Sequence, residues 1–249
     1  MIVCRSAEEI EKLKKSNRIV ALILNELREA AKPGVSVKEL DQLSERLIEQ
    51  YHCIPAFKGY RNYPACLCAS VNEQIVHGIP DGRKLKNGDI ISLDIGVNLD
   101  GYFGDAAITV PVGTIDAESA TLLRVTEDAL YKGIAQARVG NRLSDISHAI
   151  QTWVEKHGFS VVRDFVGHGI GKQLHEEPQV PNFGKPGFGP RLREGMTLCL
   201  EPMVNVGTYK VKVLDDGWTA VTADGSRSAH FEHSIVITKG EPLILSTLD

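Results

Sequence analysis

Leu85-Lys86-Asn87-Gly88-Asp89-Ile90-Ile91-Ser92-Leu93-Asp94-Ile95-Gly96-Val97 has a counterpart later in the same chain. It reads Leu192-Arg193-Glu194-Gly195-Met196-Thr197-Leu198-Cys199-Leu200-Glu201-Pro202-Met203-Val204. Each copy is a basic-polar-Gly turn followed by an aliphatic strand, with a carboxylate at the same step. A second pair lies at almost the same spacing: Ala31-Lys32-Pro33-Gly34 with Glu39-Leu40, against Ala137-Arg138-Val139-Gly140 with Asp145-Ile146. His77-Gly78-Ile79 against His168-Gly169-Ile170 is a third match at a shorter spacing. Three short matches in one order point to a duplicated half.

Ser6 with Glu9 is a capping box, and helical patterning runs on to Ala31, where Lys32-Pro33-Gly34 stops it. Ser36 with Glu39 opens a shorter helix carrying Leu40, Leu43, Leu47 and Tyr51 on one face. Strands are predicted at 89–97 and 102–110, the latter closed by Pro111. The second half repeats the order, with helices over 117–137 and 144–157 and strands near 160–166, 196–206, 219–223 and 230–238. The strand runs lack βαβ alternation. The predicted class is α+β: two pseudo-symmetric halves, about 7–110 and 117–238, with helices outside a curved, mainly antiparallel sheet. No linker separates them, so 1–249 reads as a single domain.

Composition excludes several functions. Of 249 residues, 28 are Lys or Arg and 32 Asp or Glu, a net charge of −4 that gives no general reason to bind nucleic acid or an anionic membrane. The hydrophobic share of 43% and charged share of 24% are those of a globular chain, not a disordered one. The longest aliphatic run, Ile19 to Leu24, is far short of the roughly 20 residues a spanning helix needs. Glu8 and Glu9 arrive before any hydrophobic stretch, so no secretory signal is expected. The five cysteines are odd in number and lack CxxC spacing, which suits free thiols in a reducing cytoplasm.

Residues matched across a pseudo-twofold axis meet near it, so Asp94 and Glu201 are expected to face each other. Asp105 and Glu232 interrupt otherwise apolar strands, which is costly unless they are paired or bind metal. Four converging carboxylates repel unless cations neutralise them, and His168 can add a nitrogen ligand. An oxygen-rich set with one imidazole favours Co, Mn, Fe or Zn, as one or two divalent ions. Two such ions roughly 3.5–4 Å apart activate water for hydrolysis. Cys66-x-Cys68 is weak evidence for zinc, Asn72-Glu73 reads as loop chemistry, and His52, His148, His157 and His230 read as surface or helix-packing residues without a role.

The chain resembles the type I methionine aminopeptidases of the pita-bread (creatinase/aminopeptidase) metallopeptidases over essentially its whole length. The motifs are Val71-Asn72-Glu73-Gln74-Ile75-Val76-His77-Gly78-Ile79-Pro80, Gly167-His168-Gly169-Ile170-Gly171, His175-Glu176-Glu177-Pro178, Glu201-Pro202-Met203 and Phe231-Glu232-His233. The resemblance implies a dinuclear site in which Asp94 holds one metal, His168 and Glu201 the other, and Asp105 and Glu232 bridge. It implies hydrolytic removal of the initiator methionine from nascent chains with a small second residue. Glu201 would carry the proton, His175 would bond the carbonyl oxygen, and His77 would contact the scissile amide. Phe57, Tyr60, Tyr63, Cys68, Leu174 and Trp218 resemble the methionine pocket, an aromatic and sulfur lining suited to a thioether. Phe57 and Leu174 differ from the cysteine and phenylalanine some relatives carry. Asn72 and Ser228 resemble a monovalent-cation site. The implied partner is the nascent polypeptide N-terminus; ribosome association is an expectation from the substrate alone, and monomer is the default.

Four alternatives compete with this reading, and one of them, a purely structural divalent-cation site, is disfavoured by the two non-ligand histidines His77 and His175. X-Pro hydrolases share the five ligands but usually add a large N-terminal domain, for which this length has no room. Type II relatives insert a helical segment between the ligating His and the next Glu; here the interval from His168 to Glu201 is short. A non-catalytic binding protein on this scaffold is expected to have lost ligands, whereas all five types stand here with His77 and His175.

Overall fold

The computed structural model describes residues 2–248, so the terminal residues of the expected 1–249 span lie outside the described residues. In chain order the first half holds α1 (Ala7–Ala30), α2 (Val37–Gln50), β1 (Ile54–Pro55), a 3-10 turn at Tyr60–Asn62, β2 (Leu67–Val71), β3 (Gln74–Val76), β4 (Ile90–Leu99) and β5 (Tyr102–Pro111). The second holds α3 (Ala117–Gln136), α4 (Leu143–Lys156), β6 (Ser160–Val161), β7 (Gly167–Gly169), β8 (Glu176–Val180), β9 (Thr197–Leu200) and β10 (Met203–Asn205). It ends with β11 (Val211–Val213), β12 (Ala220–Thr222), β13 (Ser228–His230), β14 (Glu232–Val236) and β15 (Leu243–Ile244).

The helix starts follow from local chemistry. Ser6 Oγ accepts from Glu9 N at 3.3 Å while the Glu9 carboxylate accepts from Ser6 N at 3.0 Å. Ser36 and Glu39 repeat the exchange at 3.3 and 2.7 Å, so two orphan donors are satisfied at each helix start. α4 begins one residue earlier than its predicted Ser144, because the Asp145 carboxylate reaches back to Arg142 N at 2.7 Å.

The duplication is written into the backbone. Gly34 N donates to Leu85 O at 2.8 Å, and Gly140 N to Leu192 O at 3.2 Å. Gly88 N donates to Val112 O, and Gly195 N to Ile237 O, both at 2.9 Å. Gly88 and Gly195 have φ of 95° and 83°, left-handed values that only glycine adopts without strain, which is why the turn motif carries Gly in both copies. The third match does not share this symmetry: His168 lies on β7, whereas His77 lies in the loop after β3.

The main sheet runs β1-β4-β5-β14-β9-β7-β8, with β2 also on β4 and β15 on β14, and every pairing is antiparallel. The halves meet where β5 pairs β14, Ala106 opposite His233 and Ala107 opposite Glu232. One core lies beneath α1 and α2 (Val20, Ile23, Leu27, Leu40 with Leu93 and Ile95), the other beneath α3 and α4 (Leu122, Ile146, Ile150 with Leu198 and Leu200).

Two predicted strands are corrected. The strand expected over 196–206 is broken at Glu201-Pro202 into β9 and β10, and that over 230–238 at Phe231 into β13 and β14. β9 and β14 pair in the main sheet, whereas β10 and β13 pair in a second, three-stranded sheet with β6. Pro202 has no N–H for a ladder, so the chain leaves one sheet for the other there. Both breaks fall beside a carboxylate. The strand expected over 160–166 shortens to β6.

α1 crosses close over β5. A Cβ at Gly104 would stand 2.7–2.8 Å from backbone atoms of Ser16 and Asn17, which cannot rotate away. The next residue, Asp105, gives its backbone N–H to Asn17 Oδ1 at 3.3 Å. Gly104→Ala is expected to lower stability by about 1–3 kcal/mol through overpacking and to displace Asp105. Thermal unfolding checks this; an unchanged midpoint would refute the close-packing account.

Candidate metal centre and substrate pocket

Strand register brings the acidic positions together. Across the main sheet Cys68 stands opposite Asp94, Asp94 opposite Ala107, and Ala107 opposite Glu232. Directly opposed residues share a face, and so do alternate residues along a strand. Asp105 alternates with Ala107 and therefore joins the same face. Cys199 stands opposite both His168 and Ser234, and Glu201 is two positions on from it. Asp94, Asp105, His168, Glu201 and Glu232 thus project from one side of the sheet, with the small side chain of Ala107 between two of them.

The His168 tautomer is decided by its neighbour. Nδ1 lies 2.9 Å from Gly169 O, a carbonyl that can only accept, so Nδ1 carries the proton. Nε2 then presents a lone pair, 3.6 Å from Glu201 Oε1 and 3.9 Å from Asp105 Oδ2. Burial holds His168 down to about 3, so the ring stays neutral. Burial pushes Asp94 up to about 7; burial and mutual repulsion push Asp105, Glu201 and Glu232 well above the usual carboxylate range. Asp94 Oδ1, Asp105 Oδ1 and Glu232 Oε1 are buried without a hydrogen-bond partner among the described residues. Orphaned anionic oxygens around an imidazole lone pair fit divalent cations, which supply the missing positive charge.

Ligand-capable atoms of Asp105, His168, Cys199 and Glu232 lie within 4.8 Å of one another. Cys199, read from the sequence only as a free thiol, is thus part of this wall. Burial and the Glu232 and Asp105 charges push its thiol well above the ordinary value, and Sγ lies 3.3 Å from Ser234 Oγ. It is a neutral thiol in contact with the cluster. The i, i+2 spacing from Cys199 to Glu201 is the sequence signal that would have found it.

One cavity of about 150 Å³ is lined by all the residues the resemblance marks as metal-binding, catalytic or substrate-binding, though not by Asn72 and Ser228: Phe57, Tyr60, Tyr63, Cys68, His77, Asp94, Asp105, His168, Leu174, His175, Glu201, Trp218 and Glu232. Arg61 lines it as well, a residue the sequence reading passed over. The volume is below the roughly 300–1,000 Å³ of drug-sized sites, and suits one side chain. Its apolar end is built by Phe57, Tyr63, Cys68 and Leu174, with Tyr60 and Trp218 packed against them. Tyr63 is pinned by its hydroxyl, which donates to Gly78 O at 2.8 Å, and Trp218 meets its ring edge-on at 5.1 Å.

Two histidines stand between this end and the carboxylates. His77, at φ 59°, packs edge-on to Phe165 and Trp218, and burial holds it down to about 4. The His175 ring lies 4.3 Å from the His168 ring, tilted by 53°, and its Nδ1 lies 2.9 Å from the Tyr60 hydroxyl. Desolvation and the Arg61 charge lower its pKa. Its loop is held by Glu176, which pairs with Arg5 and accepts from Lys172 N and Gln173 N at 2.8 and 3.1 Å.

His230 is a correction. Read as a surface or helix-packing residue, it is 2% exposed at the end of β13, with Nε2 3.7 Å from Glu201 Oε2. Asn72 and Ser228 are neighbours, Ser228 N donating to Asn72 O at 2.9 Å.

A model of metallopeptidase family M24 matches residues 11–239. "Methionine aminopeptidase 1" of Bacillus subtilis (strain 168) is 56% identical over 239 residues, 96% of each chain. The methionine aminopeptidase of Clostridium perfringens (strain 13 / Type A) is 52% identical over the full length of both. Among solved structures, the methionine aminopeptidase from Thermotoga maritima superposes with a TM-score of 0.97 at 49% identity, covering 99% of this chain and 100% of its own. The prolidase from Pyrococcus horikoshii OT3 superposes with 0.81 at 20% identity, covering 65% of its own chain, a likeness of fold alone. The fold expected from the resemblance, pita-bread, is the one these neighbours share with it. A family model spanning nearly the whole chain, and relatives identical at about half of all positions, leave one conclusion: the chain belongs to metallopeptidase family M24.

Proposed function

We propose that this chain is a type I methionyl aminopeptidase, a metal-dependent hydrolase that removes the initiator methionine from cytoplasmic nascent chains with a small second residue. The observation that carries the reading is the single small cavity that joins a buried carboxylate–imidazole cluster to an aromatic and sulfur-lined end. Asp94, Asp105, His168, Glu201 and Glu232 would hold two divalent ions, Co, Mn, Fe or Zn. When bound, such ions supply Lewis-acid polarisation of a carbonyl and a lowered pKa for water.

The remaining roles belong to the protein. Phe57, Tyr60, Tyr63, Cys68, Leu174 and Trp218 would take the methionine side chain and exclude water around it. Glu201, whose carboxylate lies 3.6 Å from His168 Nε2, is suited to take a proton from water and deliver it to the leaving amine. His175 is suited to donate from Nε2 to the scissile carbonyl oxygen when the Tyr60 hydroxyl donates into Nδ1. His77 would contact the scissile amide. A monovalent cation near Asn72 and Ser228 belongs to the same proposal. Backbone carbonyls and the lone pairs of the Ser228 hydroxyl, which itself donates to Val204 O, would hold it, because the Asn72 side chain is engaged with Asp89 and Ile90. Action as a monomer, and use of the catalytic surface itself for any ribosome contact, complete the reading; no helix among the described residues is long and apolar enough to cross a membrane.

Product analysis tests the function. The stripped protein, reloaded separately with Mn, Co, Fe or Zn, is given Met-Ala-Ser and a control beginning Ala-Pro. Metal-dependent release of free methionine is expected. Release of alanine from the control would move the chain to the X-Pro group, and silence on both would end the peptidase reading.

His175→Ala is expected to bind metal normally and lower kcat by roughly a hundredfold, the usual loss for one preorganised donor to a developing oxyanion. Full turnover in this variant would remove His175 from the mechanism.

A further inference from the structure

His230 is held by its backbone and left free at its ring. Its N–H donates to Thr109 Oγ1 and its carbonyl accepts from the same hydroxyl, both at 2.8 Å. Its Cα pairs with Met203 across β13 and β10. The ring is buried, yet neither Nδ1 nor Nε2 has a hydrogen-bond partner among the described residues. Leaving a buried imidazole donor unpaired costs about 1–3 kcal/mol, so an apolar side chain of similar size would serve the fold at least as well.

The group nearest that donor is Glu201. Its carboxylate lies between two imidazoles: Oε1 is 3.6 Å from His168 Nε2, and Oε2 is 3.7 Å from His230 Nε2. The two sides are chemically unlike. His168 Nε2 is a lone pair, since its other nitrogen donates to Gly169 O, so nothing on that side can donate to Glu201. His230 has no carbonyl fixing its tautomer and is free to carry its proton on Nε2. The Glu201 backbone carbonyl is already held by Asn182 Nδ2 at 3.0 Å, which leaves rotation of the side-chain carboxylate as the freedom still to be restrained.

We propose that His230 is a positioning residue for Glu201, its Nε2–H donating to Oε2 so that Oε1 is turned toward His168 and the metal side. The carboxylate is then presented in one rotation, with its basicity set by one fixed hydrogen bond. The inference rests on the reading of Glu201 as ligand and proton carrier given above.

The test compares His230→Met with His230→Gln, near-isosteric side chains of which only the second offers an N–H. Thermal melts are expected to show both variants folded, with the Met variant at least as stable as the parent. In calorimetric titration of stripped protein with Mn, His230→Met is expected to bind roughly 10–100-fold more weakly, the usual range for losing a partner of a metal ligand, and His230→Gln to recover most of that loss. With Met-Ala-Ser the loss should appear in kcat, with KM changed by less than about threefold, and Gln should again restore it. Parent-like metal affinity and kcat in the Met variant would overturn the proposal. Equal losses in Met and Gln would overturn it too, since packing rather than a donor would then be at stake. If the parent released no methionine, the peptidase reading would fail while the metal titration still decided the contact between His230 and Glu201.

Discussion

Asp105→Ala is expected to abolish methionine release, a loss beyond about a thousandfold, while leaving a folded protein. Asp105 lies at the centre of the cluster: opposite Gly96 on β4, beside Glu232 through the β5–β14 junction, and 3.9 Å from His168. A ligand's partner typically affects metal affinity by roughly 10–100-fold, so deleting a carboxylate proposed to be shared between two ions should exceed that. Metal content by elemental analysis should fall together with turnover. Retained metal with retained turnover would show that Asp105 is not a ligand. The fold itself should not suffer, because the deletion removes a buried carboxylate whose Oδ1 has no hydrogen-bond partner among the described residues.

The second large effect concerns stability and pH in the metal-free protein. Asp94 is held at about 7, and Asp105, Glu201 and Glu232 well above their ordinary values, chiefly by burial. Folded values above unfolded ones mean that the native state binds more protons, so stability falls as pH rises above about 4. Buried His77, His168 and His230, held at about 3–4, act in the opposite sense, because the unfolded chain protonates them below about 6.5. The two effects oppose each other between about pH 4 and 6.5. Above 6.5 the imidazoles are neutral in both states and only the carboxylate penalty remains. Ionising Asp94 costs on the order of 4 kcal/mol, most of it already incurred by about pH 7, so the loss above that pH comes from Asp105, Glu201 and Glu232. The stripped protein is therefore expected to lose melting temperature from pH 6.5 to 9, and the gap to the metal-loaded form to widen over that range. Divalent ions bind the ionised native cluster and stabilise it by mass action. Asp105→Asn should raise the stripped protein's midpoint at pH 8 while eliminating activity. Parallel melting curves for the two forms would rule out the charge cluster as the cause.

Much of this centre was legible because strand chemistry is local. Asp94 and Asp105 stand out as carboxylates inside aliphatic strands, and the copy of the first around Glu201 marks the partner half. His230 was not legible: a histidine next to Phe231 reads the same on a surface as in a core. Its position depends on the chain leaving one sheet for another at Phe231, a break that strand propensity over 230–238 does not announce. Cys199 was hidden similarly, since a cysteine in an aliphatic strand reads as core until register names what it faces. Arg61, in a left-handed turn at φ 48°, belongs to the cavity only because the loop after β1 folds back over it.

The duplication, the helix starts and the acidic positions are set by local sequence, because turns, caps and alternation depend on neighbours a few residues apart. Tertiary structure alone decided that both long second-half strands divide between two sheets. It also decided that β5 meets β14 as the seam, and that Cys199, Arg61 and His230 join the site. Those outcomes depend on which distant backbone satisfies each hydrogen-bonding group, and on which face a strand's register turns toward the cavity, neither of which a local pattern encodes.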